Sequence, residues 1–116
     1  MTIQYKNQGF KQTDTSKTTA LTCPSDATLI VKSIYVANND ASSAILVNMK
    51  LVDSSDSSAE YEFFRDDVAA KTQVNAAPQG LNLEASDAIT IQAATGSSKI
   101  QGVISYAQID RSQENG

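Results

Sequence analysis

Apolar and polar positions alternate with a period of two along most of this chain, the mark of strands that bury one face and wet the other. From Ala44 to Val52 the apolar set is Ile45, Val47, Met49 and Leu51, interleaved with polar Asn48 and Lys50. Glu60-Tyr61-Glu62-Phe63 repeats the pattern, with Tyr61 and Phe63 expected inward. Ala88 to Ala94 places Ile89, Ile91 and Ala93 on one face, and Thr90 and Gln92 on the other. From Ile100 to Ile109, Ile104 and Tyr106 share a face while Val103 and Ile109 lie opposite, as in a strand covered on both sides or bulged near Gly102. The longest strand expected is Thr28 to Asn38. There Leu29, Ile30 and Val31 run together before Ile34 and Val36 restore alternation, and β-branched residues favour a strand over a helix. Shorter strands are expected at Gly9 to Asp14, Lys17 to Thr22 and Gly80 to Leu83.

Polar clusters punctuate these runs at Asn38 to Ser43, Asp53 to Ser58 and Thr95 to Ser98, residues whose short side chains favour turns. Pro24-Ser25-Asp26 and Ala85-Ser86-Asp87 each precede a strand. Asp66 and Asp67 could start a helical turn within Arg65 to Lys71. About eight short strands at such spacing predict an all-β, antiparallel, jelly-roll-like β-sandwich filling 1–116 as one domain. The polar segment 1–17 and the tail 110–116 are expected as intersubunit arms, since polar ends usually fray unless a neighbour holds them.

Composition narrows the function. With 116 residues, 41% hydrophobic and 19% charged, the chain has the make-up of a folded domain. The net charge is −4 and the nine Lys and Arg are scattered. No basic stripe exists to neutralise phosphates, so no nucleic-acid partner is expected. Histidine is absent and Cys23 is the only cysteine, which removes His-based catalysis, an intrachain disulfide and Cys metal clusters. Without a partner to lower its pKa, Cys23 reads as a small, partly buried apolar residue. The acidic set Asp53, Asp56, Glu60, Glu62, Asp66 and Asp67 lacks EF-hand order, so a solvated turn is expected over a cation site. Glu60 and Glu62 share an outward strand face, but no Trp platform accompanies them. The chain is therefore expected not to be an enzyme, to carry no cofactor or metal, and to need no membrane. Met1 to Lys6 holds no apolar run resembling a signal peptide. Of the aromatic residues, Phe64 is expected outward because it adjoins Phe63. Core filling is expected of the others. Phe10, Phe64 and Arg111 are the candidate intersubunit contacts.

Three stretches add a resemblance: Ala27 to Asn39, Ala44 to Asp53, and Leu81 to Ala93 with Ile104 to Ile109 closing the chain. Together they resemble small β-sandwich virion proteins of tailed bacteriophages, especially podovirus head and tail components. The third is similar to that group's Leu-Glu-x-Gly-Asp-x-Ile/Leu-x-Val pattern and closing Ser-Tyr strand, with Ser86 standing where Gly is usual. The resemblance spans about residues 18 to 109. It implies a non-enzymatic structural part of the head, neck, tail or fibre, made in the host cytoplasm. Such a part would associate with itself and dock on other virion proteins such as capsid, portal or tail. A carbohydrate-binding or adhesion module is the alternative, since sandwiches commonly present sugar sites on loops.

Overall fold

The computed structural model describes residues 2–110, which fold into two antiparallel sheets. The five-stranded sheet has the order β1 (Thr2–Lys11), β9 (Ile100–Asp110), β3 (Ala27–Asn38), β6 (Gln73–Asn75), with β7 (Asn82–Leu83) also paired to β3. The four-stranded sheet runs β2 (Thr18–Thr22), β8 (Ala88–Ala93), β4 (Ile45–Asp53), β5 (Ala59–Val68). The fold is the expected all-β sandwich.

The core lies between the sheets and comes from the alternating positions. Leu29, Val31, Ile34, Val36, Ile100, Ile104 and Tyr106 face Ile45, Val47, Met49, Ile89 and Ile91. In β3 the inward parity changes from odd to even at a register shift between Val31 and Ser33, while the run Leu29-Ile30-Val31 arises because Ile30 is an apolar residue on the outer face. The irregularity expected near Gly102 therefore lies on the neighbouring strand. Gly102 is instead a point of close approach, because a Cβ there would collide with the Tyr35 carbonyl oxygen and the Phe10 ring.

A second shift, between Met49 and Lys50, makes Phe63 an extra residue in β5. Strand β5 and the turn before it correct three expectations. Phe64 pairs with Met49 and packs against the core beside Phe63, so adjacency does not force it outward. Tyr61 shares the face of Leu51 but stays exposed at the sheet margin. The segment expected to form a helical turn continues as strand to Val68, and the helical turn lies at Ser54–Asp56 instead.

In the N-terminal segment, residues 2–11 form a strand paired along its whole length with β9, without a register shift, which starts well before the strand expected from Gly9. At its end the Gln12 amide donates to the Ile100 carbonyl (2.9 Å), and the buried Gln12 side chain donates to the carbonyls of Asp14 and Ser16. That corner carries the chain into the second sheet.

Two buried polar residues tie the far turns. Asn38 donates to the Ser43 and Val68 carbonyls (2.9 and 2.8 Å) and accepts from the Asp40 amide. Asp87 accepts from the amides of Ser54 and Glu84 and from the Ser54 hydroxyl. Ser86 adopts φ 66°, the left-handed conformation that favours Gly.

Candidate functional site

The two outer faces of the sandwich are built differently. Outward positions of β1, β9 and β3 line up across the strands as Ile3–Ile109–Thr28, Tyr5–Ala107–Ile30 and Gly9–Val103–Tyr35. Tyr5 is 77% exposed, Ile3 50%, Tyr35 48%, Val103 42% and Ile30 40%. These are five of the seven large exposed apolar side chains among the described residues, and they share one face. Isolated exposed apolar residues are ordinary, but a contiguous set marks a surface that meets a partner. A polar step crosses the middle, where the Ser105 hydroxyl donates to Asn7 Oδ1 (2.7 Å). The Lys32 ammonium sits 5.3 Å from the Tyr5 ring centroid, a cation–π distance that helps hold the ring in place.

At one end this face dips into an open hollow of about 550 Å³ lined by Phe10, Tyr35, Gln73, Gln101 and Val103, among others. Phe10 packs partly into the core and against Gly102. It borders the hollow but is not free on the surface.

The outer face of the four-stranded sheet is polar. Its rows are Thr19–Thr90–Lys50–Glu62 and Gln92–Asn48–Arg65. Lys17 reaches over this face to Glu60 (2.8 Å), and Arg65 pairs with Glu62 (2.9 Å). The Lys17 contact holds the Glu60 carboxyl below its usual pKa.

Of the acidic candidates, Asp53, Asp56, Glu60 and Glu62 are engaged locally. Asp53 caps the helical turn by accepting from the Ser55 amide, and Asp56 accepts from the Tyr61 hydroxyl (2.6 Å), which raises the pKa of Tyr61. Among the described residues no three Asp, Glu, Cys or His groups cluster as metal ligands. Nor is any described helix long and apolar enough to cross a membrane. Cys23 is buried, its thiol against the carbonyls of Pro24 and Ala27.

Of the candidate contacts, Phe64 is a core-packing residue, Phe10 borders the hollow, and Arg111 lies outside the described residues. The residues missed are Tyr5 and Tyr35, expected in the core but found outside. The signal for Tyr35 was present: it sits between Ile34 and Val36, and two inward neighbours force it outward.

No protein-family model and no curated protein matches the chain. Solved structures do match in fold. One is the Drosophila NLP core, a structure concerned with pentamer formation and histone binding. It has 15% identity and a TM-score of 0.56, with 92% of this chain and 99% of that one covered. Another is the IBDV T13 viral particle, at 9% identity and TM-score 0.53, covering 91% of this chain and 30% of that one. A third is a Bacillus endospore appendage of disulfide-linked pili, at 11% identity and TM-score 0.50, covering 92% and 86%. The chain is a small two-sheet antiparallel β-sandwich with jelly-roll-like structural neighbours.

Proposed function

We propose that this protein is a non-enzymatic building block of a self-assembling particle, and specifically a structural component of a tailed-phage virion. The observation that carries the reading is the apolar outer face of the five-stranded sheet. Burying such surface favours association by about 25 cal/mol per Å², and the ladder beneath it is a rigid platform. The neighbouring folds support self-association, being described as a pentamer, a viral particle and pili. The virion assignment, and with it synthesis in a host cytoplasm, rests on the resemblance of residues 18 to 109 to podovirus sandwich proteins. Quantitative mass spectrometry of purified particles tests it. Hundreds of copies per particle assign the chain to the head surface, and six to a few dozen assign it to the neck, tail or fibre (roughly the stoichiometries of cyclic and icosahedral symmetry). Absence from particles rejects the virion role.

A second reading has one observation in its favour. The hollow combines the faces of Tyr35 and Phe10 with the amides of Gln73 and Gln101, the mixture of ring and hydrogen-bonding groups that suits a sugar. A glycan array that loses its signals on Tyr35→Ala supports this reading, and an array without signals rejects it.

A further inference from the structure

Both sheets end in a ten-residue strand, β1 in one and β5 in the other. Every second residue of such a strand aims its N–H and C=O away from the sheet, a template for another strand. The two edges differ in charge. Over its ten residues β1 carries Lys6 and Lys11 and no acid, although the chain as a whole is at −4. Facing it in character, β5 carries Glu60, Glu62, Asp66 and Asp67 against Arg65 alone.

Ion pairing sharpens the contrast. Glu60 and Glu62 are satisfied within the molecule by Lys17 and Arg65. Lys6, Lys11, Asp66 and Asp67 are all exposed, and none belongs to an ion pair among the described residues. The bulge at Phe63 separates Ala59–Glu62 from the half that carries Asp66 and Asp67, so the unpaired acids lie together on an uninterrupted stretch. Position completes the argument. Strand β1 lies beside β2 along one side of the sandwich, and β5 closes the four-stranded sheet at the edge opposite β2.

We propose that β1 of one copy adds to β5 of a second copy, so that subunits join head to tail and the five-stranded sheet of one continues into the four-stranded sheet of the next. The inference rests on the self-assembly reading above and adds an edge contact to its apolar face. Twofold pairing of β1 with itself gives its lysines no acid to meet, because β1 carries none. Pairing of unlike edges is a heterologous contact, which closes into a ring or runs on as a filament.

The test is complementary charge reversal in the full chain, read by light-scattering mass at low salt. Two variants are needed, Lys6→Glu/Lys11→Glu and Asp66→Lys/Asp67→Lys. Each alone opposes like charges at every junction and should weaken assembly by roughly tenfold or more. Mixed one to one, each supplies the edge that fits the other, and mass should return. Far-ultraviolet circular dichroism checks that both variants stay folded. If either does not fold, amide exchange of the wild type takes its place. Residues of β1 and β5 must gain protection together as concentration rises, and exchange of either strand that ignores concentration overturns the proposal. A wild type that stays monomeric overturns the self-assembly reading itself. Assembled wild type with indifferent variants, or variants whose mixture stays dissociated, overturns only the edge pairing.

Discussion

The two outer faces of this sandwich use the same strand architecture and opposite chemistry. On the four-stranded sheet, outward positions are occupied by Lys50, Glu62, Arg65, Asn48 and Gln92, with Lys17 laid across to Glu60. That face is finished for water. On the five-stranded sheet the equivalent positions hold Ile3, Tyr5, Ile30, Tyr35 and Val103. The core is complete without them, because Ile104, Tyr106, Ile34 and Val36 already fill the inner side of the same strands. Folding therefore does not require the apolar outer residues, and under the self-assembly proposal what they stabilise is contact with another copy. The difference separates residues that hold the monomer together from residues that hold an assembly together, and each class can be attacked alone.

The largest effect is expected where the outer apolar face is fastened to its frame. Gly102→Ala pushes a methyl group into the Tyr35 carbonyl and the Phe10 ring. It should lower unfolding free energy by about 3 kcal/mol, measured by urea denaturation, and loosen β1 as it does so. Next comes Phe64→Ser, which removes a partly buried ring from the core. It should cost about 2 kcal/mol of monomer stability, and loss of assembly without loss of stability would return Phe64 to the surface. Tyr5→Ser with Tyr35→Ser is expected to do the opposite, changing monomer stability by less than about 1 kcal/mol while self-association falls roughly tenfold or more. Leu46→Ser on the polar face, where Leu46 is 37% exposed, is the control and should alter neither.

The smallest effect is electrostatic. Lys17 holds the carboxyl of Glu60 below its usual pKa, and the amides of Ser42 and Ser43 do the same for Asp40. A lowered folded pKa contributes stability that is present above the unfolded value and is lost as pH falls through the folded one. Both groups are solvent-exposed, so thermal melts should show a slight decline below about pH 4. Lys17→Met should remove the Glu60 share of that decline.

How much of this was legible in the sequence follows from where parity was kept. Strands β4 and β8 keep strict alternation between turn-forming clusters, and both were readable to within a residue or two. Phe64 was not, because the bulge at Phe63 shifts the inward set by one and leaves no mark in composition. Strand β1 was partly hidden. Its alternation of Ile3 and Tyr5 with Gln4 and Lys6 is strand-like, yet its apolar members face away from the core, so the usual inference from pattern to burial points the wrong way. Strand β6 offers only Val74 as an apolar position and forms because β3 needs a partner beyond Tyr35. The candidate interface was legible only after the fold. Tyr5, Ile30, Tyr35 and Val103 lie on three different strands, and cross-strand register is what makes them neighbours.

The central claim is that the apolar outer face of the five-stranded sheet is covered by another copy of the chain. Sedimentation equilibrium of the wild type beside Tyr5→Ser/Tyr35→Ser, over a hundredfold range of concentration, tests it most directly. The account predicts a wild-type mass that rises to a defined multiple of 12.4 kDa and a variant that remains at the monomer mass while still folded. Equal masses for the two proteins at every concentration would contradict it.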